Sequence, residues 1–485
     1  MLPIGLPRPD MADTNPGVAK RTVNVILSKD QNGVSARPMP SLAVADSAGV
    51  LPAAPRGGTS VVTRAGGYLA YVATGTNIYN IGNDYTYTSY GSGYNCTSGD
   101  NWMATQFGNY AVFTNTTDGQ VQLDIETPVA FAAISGAPKA RSIAPIFDCM
   151  FAFDCDGDNR LMQNSDVNDH TDYEGGVAAR QPMPDGEELI TGGELNDGLA
   201  IVLQRNAVRL LTRTSDRQLY TMNKIADGIG AVNPQSVVTI RGACFFWDVA
   251  GPHMYLPGMP VPEHIGADKI SRTFLENASG TVFDGIEGAY DPANQRIIWR
   301  YQAADVSSGT VFQDAITYDI RLGEFVECEF ASAALLYMAS PGYTLEGLDA
   351  VATLDALPYS LDSRVWYGGE PRLAGLNGDL KFGFFDGTNL AATCETATQM
   401  FPERMRFQSV RPITDAQNAT VEIGTKAALY SSLTYSTAAS IQPSGRVPVR
   451  AAGKNARFRI SVAAGESWNY IRGIDDIEAV GDGAR

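Results

Sequence analysis

Along most of this chain, short apolar or aromatic runs stop at pairs of Gly, Asn or Asp and resume on the far side. "YLAYVATGTNIYNI" begins at Tyr68, "YAVFTNTTDGQVQLDI" at Tyr110 and "CMFAFDCDGDNRLMQN" at Cys149. "LAIVLQRNAVRLLTRT" follows at Leu199, "CFFWDVAGPHMYLPG" at Cys244, "RIIWRYQ" at Arg296 and "LKFGFFDGTNLAATCET" at Leu380. Such units predict β-hairpins, because aromatic and β-branched residues suit a pleated surface and Asp118-Gly119 or Asp386-Gly387 supply the reversal. The first five starts are separated by 42, 39, 50 and 45 residues, the period of a propeller blade. Radial stacking lets four-stranded sheets cover one another's faces. The predicted fold is therefore all-β, a propeller over residues 57–378, with a series of β-sandwiches as the competing solution.

Both ends depart from the repeat. Residues 1–56 carry prolines at 3, 7, 9, 16, 38, 40, 52 and 55, a spacing hostile to helix and central strand alike. It predicts an extended docking arm lying along another surface, the alternative being a solvent-exposed tail. Residues 379–485 alternate at period two in "RMRFQSVRPITDAQNATVEIGT" and "GKNARFRISVAAGESWNYIRGIDDIEAV", predicting a β-sandwich or barrel that packs with or completes the propeller. Helix is scarce; "GADKISRTFLENA", with Ile270, Phe274 and Leu275 near helical spacing, predicts one short helix.

Charge narrows the functional classes. With 36 Lys+Arg against 53 Asp+Glu, the formal charge is −17, which disfavours a binder that neutralises phosphates with a basic face. The six cysteines (Cys96, Cys149, Cys155, Cys244, Cys328, Cys394) lack zinc-site spacing and read as buried thiols. No signal peptide and no run of eighteen apolar residues is visible, so a soluble protein made in a cytoplasm, without membrane insertion, is expected.

The densest chemistry lies in "FAFDCDGDNRLMQNSDVNDHTDY", residues 151–173. Asp154, Asp156 and Asp158 alternate like the start of a calcium loop, but the twelfth position, where such a loop needs Glu, is Ser165. Hairpin-turn chemistry explains the same residues, and these aspartates are the sole metal candidates. An Asp-box is not matched either, since Val167 stands at its aspartate position. His170, His253 and His264 occupy unrelated contexts, and no P-loop, nucleophile elbow or dinucleotide fingerprint is present. No catalytic residues and no cofactor are expected.

The segment "LYTMNKIADGIGAVNPQSVVTIRGACFFWDVAGPHMY" sets Ile229-Gly230, Ser236-Val237, an aromatic strand and Gly251 in an order that resembles the tail nozzle proteins of short-tailed phages, also called packaged-DNA stabilisation or tail tubular proteins. "EGAYDPANQRIIWRY", "DAITYDIRLGEFVEC" and the C-terminal strands resemble them too, and "NPGVAKRTVNVILSKD" is similar to that family's arm, placing candidate docking residues at Pro7, Pro9, Asn15, Pro16 and Asn24. "DAVATLDALPYSLDSRVWYGGEPRLAGLNG" departs from the pattern. The resemblance implies a non-enzymatic virion protein: a ring, usually of six copies, below the head-tail adaptor, passing double-stranded DNA without sequence-specific binding. Carboxylates lining that conduit would keep phosphates from adhering, and the arginines of residues 403–472 are expected at subunit contacts or paired with carboxylates. The alternatives are a glycan-binding or glycan-cleaving propeller, or another phage connector, baseplate or decoration subunit.

Overall fold

All but the last of the runs that the repeat picks out begin with the second strand of a blade, covered on both faces, while the run from Leu380 holds the third strand of the closing blade. Cys149–Cys155, Ala243–Asp248 and Arg296–Tyr301 are buried almost throughout, which is why they read as continuous apolar runs. Each belongs to a four-stranded antiparallel meander. The computed structural model describes the chain except residues 1, 16, 31–32, 45–47, 83, 98, 186, 215–217, 241, 279–281, 304–310, 340–370 and 482–485.

Six separate four-stranded sheets form propeller blades: residues 57–92, 103–133, 140–182, 189–227, 238–264, and 334–384 together with Ala43–Val44. A further meander, 287–332, fills the interval between the last two and continues at its outer edge into a 16-stranded sheet. The first strands of these units touch in succession, and the last, Ala334–Ala339, meets the first, Gly57–Val62, so the ring closes. Near the axis there is little room for side chains. A Cβ on Gly58 would stand 2.7 Å from the Tyr71 carbonyl and 2.8 Å from Leu336 Cδ2.

Beyond the propeller, two 16-residue strands, Gln399–Thr414 and Val447–Val462, pair antiparallel and are flanked by Thr420–Lys426 and Ile471–Gly481. Their inner face holds a core that includes Phe407, Ile423, Phe458, Trp468 and Ile471. The division expected at 378/379 falls later, because the closing blade runs on to Phe384.

The N-terminal segment does lie along a surface, and in this fold the surface is the chain's own. Val18–Val23 runs between the outer strand of the 287–332 meander, with Val23 opposite Glu327, and Ala392–Thr396. Val25–Asp30 and Gly33–Pro38 form a hairpin against Ile471–Gly481, to which Leu2–Pro3 also pairs. Ile4, Ala19, Val25, Leu27 and Ala36 enter the C-terminal core. Ala43–Val44 then supplies the outer strand of the closing blade. The predicted helix is present as Ser271–Asn277, with Phe274 buried against Trp247 and Leu275 facing solvent.

Candidate functional site: the arm seam and the propeller axis

Two strand edges and a proline-rich loop bring charged residues together between the propeller and the C-terminal body. Asp13 is the hub. Its carboxylate accepts hydrogen bonds from Lys426 Nζ at 2.6 Å and from Arg457 Nη2 at 2.7 Å, with Lys20 Nζ at 3.7 Å. Arg457 also reaches Glu395 at 3.5 Å, and Glu395 accepts from Arg459 Nε at 2.6 Å and the Tyr435 hydroxyl at 3.1 Å. Arg459 donates to Glu422 at 3.1 Å and lies 3.7 Å over the Tyr435 ring. Burial alone would raise the Asp13 carboxyl, but the Lys426 hydrogen bond and the nearby Arg457, Lys426 and Lys20 charges hold it below its ordinary value. Burial pushes Lys20 down.

The same segment grips the propeller. Arg8 bonds Glu324 at 2.5 Å, and Asp10 accepts the Arg272 and Thr273 amides, each at 2.8 Å, at the start of Ser271–Asn277. Glu327 faces Arg21 at 3.6 Å, yet burial lifts its carboxyl to about 6 against the opposing pull of Arg21.

The predicted docking residues are thus placed as follows. Pro7 is buried in Leu6–Pro7, which pairs with Val18–Val23. The Pro9 carbonyl accepts from Lys20 at 2.7 Å, and the Asn15 amide bonds the Ala12 carbonyl at 3.1 Å. Asn24, at φ 56°, breaks one strand from the next; its Nδ2 donates to the Glu329 and Ala391 carbonyls and its Oδ1 accepts the Glu329 amide. Pro16 lies outside the described residues, as does most of the departing segment that begins at Asp349.

The aspartates do not converge. Cys155–Asp158 is the hairpin reversal, with Asp154 and Asp156 at positive φ. Burial raises the Asp154 carboxyl, Asp156 accepts the Lys139 amide at 3.0 Å, and Asp158 accepts the Arg160 amide at 3.0 Å. Asp169 and Asp172 likewise accept amides two residues onward, at 2.9 Å each. Among the described residues, no group of three or more His, Cys, Asp or Glu gathers as metal ligands would. The six cysteines are buried and free.

On the axis, a cavity of about 590 Å³ is walled by Gly58, Val238, Tyr290, Leu335 and Leu336. Beside it, the buried Arg300–Glu287 pair closes a recess of about 180 Å³, with Arg300 stacked 4.6 Å over Phe312. Val238, Tyr290, Leu335 and Leu336 make the wall of the axial cavity largely apolar.

Gly230 and Asn233–Ser236 are joints between blades. A Cβ on Gly230 would lie 2.1 Å from the Gln204 carbonyl, while its amide donates to Asp248 at 3.1 Å. Asn233 caps the turn Pro234–Ser236, and the Ser236 carbonyl accepts Trp299 Nε1 at 2.9 Å. Among the arginines of residues 403–472, Arg446, Arg457 and Arg459 pair with this chain's own carboxylates. No local signal in the sequence marks Asp13 and Glu395 as partners of these cations, since 444 residues separate Asp13 from Arg457.

No family model matches the chain, and no curated protein does. Among solved structures it is similar to the extracellular domain of the hybrid two-component system BT4673 from B. thetaiotaomicron, at 9% identity and TM-score 0.41 over 85% of this chain and 47% of that one. The chain thus spans about half of that protein's length. The β-propeller domain of Cps50 (Swd1) from Myceliophteria thermophila matches at 10% identity and TM-score 0.38, over 62% of this chain and 96% of its own. Streptogramin B lyase matches at 11% identity and TM-score 0.38, over 60% and 90%. The protein is a β-propeller with a second β-sheet body. Among the described residues, no helix is long and apolar enough to cross a membrane.

Proposed function

We propose that this chain is a structural subunit of a phage head-to-tail conduit, a tail nozzle protein that assembles as a ring and guides double-stranded DNA without reading its sequence. The observation that carries the reading is where the family-like segments fall: Gly230 and Asn233–Ser236 join neighbouring blades, and Glu324–Ser332 carries the propeller sheet on into the C-terminal body. A joint of this kind suits a part that transmits load. The formal charge of −17 supports a conduit lying between subunits whose excess carboxylates face the passing phosphates. Within a Debye length of roughly 8 Å, an unpaired basic patch there would trap DNA by counterion release.

Sedimentation velocity and negative-stain imaging of the purified chain test the proposal. Closed rings with a central opening wide enough for a duplex are the expected result. A monomer at every concentration, or a ring whose opening is net basic, overturns it.

A further inference from the structure

On one face of the propeller, the ends of inner strands from four consecutive blades surround a depression of about 490 Å³. The volume falls within the roughly 300–1,000 Å³ of small-molecule sites. Its walls come from the turn after Gly57–Val62, the turn joining Met103–Phe107 to Tyr110–Asn115, two turns of the third blade, and strand Leu189–Asn196. We propose that this depression binds a neutral carbohydrate.

The first argument is the aromatic wall. Phe107 and Tyr110 are half-buried on either side of the His170 ring, at 5.2 and 4.7 Å between centroids. His170 is itself held by Gln122, and burial lowers its pKa, so it adds no charge at neutral pH. A pyranose offers an apolar C–H face that packs on such rings. Its hydroxyls both donate and accept, so they need neighbours of both kinds.

Those neighbours are present. The Arg64 guanidinium lines the rim and is oriented by a 3.1 Å bond from Nε to Asn109 Oδ1. That bond leaves the Asn109 amide nitrogen as a donor. Glu194 accepts the Phe147 amide through Oε2 at 3.1 Å, leaving Oε1 to accept. Asn168, exposed and at φ 59°, presents both amide functions. The charges also cancel. Asp148 is paired with Arg213 at 2.9 Å, and Arg64 offsets Glu194. A site balanced in this way favours neither phosphate nor ammonium, and it fits a polyhydroxylated neutral ligand.

The inference does not rest on the conduit reading, and its test is separate. Purified protein is screened on an array of neutral and sialylated oligosaccharides, and the best neutral hit is titrated by calorimetry at millimolar concentrations. Binding should weaken about tenfold or more in Tyr110→Ala and in Glu194→Gln. Asn168→Gly, which suits the positive φ and should move the melting temperature little, should weaken it likewise. No binding to any neutral glycan, a preference for sialylated ones, or affinity indifferent to Asn168→Gly and Glu194→Gln would each overturn the assignment.

Discussion

Replacing Asp13 by Ala removes one carboxylate from three cations at once. Lys426 and Lys20 have side chains only 5% and 7% exposed, so two nearly buried ammonium groups lose their counter-charge. Removing one partner of a buried pair costs about 3–5 kcal/mol. Asp13 is 39% exposed, so water already screens part of that attraction, and the expected loss is about 2 kcal/mol. The loss should be local. In urea titrations read by hydrogen exchange, amides of Val18–Val23 and Val447–Val462 should lose protection together, while the blade strand Cys149–Cys155 keeps its own. The effect should also depend on pH. Because the folded Asp13 pKa lies below the unfolded value near 3.9, its contribution is complete above that value and is lost as pH falls through the folded one. Wild type and Asp13→Ala should therefore converge in acid. A double-mutant cycle with Lys426→Ala that returns no coupling, or a difference that grows as pH falls, would refute the idea that this carboxylate fastens the arm.

Three further outcomes follow from the same structure. Deleting residues 2–40 should abolish the C-terminal region's cooperative transition in calorimetry, since Ile4, Ala19, Val25, Leu27 and Ala36 leave its core. Glu327→Gln should stabilise the protein by about 1–2 kcal/mol above pH 7 and do nothing near pH 4. The Glu327 carboxyl is raised to about 6, so its folded-state cost builds as pH climbs from the unfolded value near 4.3 and is complete above about 6, and denaturation midpoints across pH 4–8 check the crossover. Asp154→Asn with Asp158→Asn should move the melting temperature little, and calcium should not raise it. An ion linked to folding would instead add about 2.7 kcal/mol at one hundred times its dissociation constant.

The blades were legible through their second strands, where burial on both sides leaves unbroken runs such as Phe151–Phe153 and Phe245–Trp247. Several first strands were not, because short glycine-bearing segments such as "GGTSVV" and "EGAYD" look like loops until the ring places them. The closing blade was half hidden for a related reason. Its second strand, Pro371–Leu376, carries a proline and a glycine, and its fourth is two residues from the other end of the chain. The proline spacing of residues 1–56 correctly excluded helix but carried no information about which surface the segment covers. That surface is assembled from elements far along the chain, from Arg272 and Thr273 through Glu324 and Ala392–Thr396 to Ile471–Gly481. The depression around Tyr110 was equally invisible, since its parts come from five separate turns and strand ends whose convergence is a property of the ring.

Strand Val18–Val23 finds its neighbour Ala392–Thr396 across about 370 residues, Val23 standing opposite Thr393. At synthesis rates of about 5–20 residues per second, the emerging segment waits roughly 20–75 s before that partner leaves the ribosome. Until then its amides and carbonyls are an open edge, and contacts this distant in sequence form slowly because loop closure precedes any gain. The propeller shares the delay, since Ala43–Val44 cannot dock until Phe382–Phe384 exists. Yield in a cell should therefore depend less on final stability than on how well this first-made segment is shielded while the rest of the chain is still being translated.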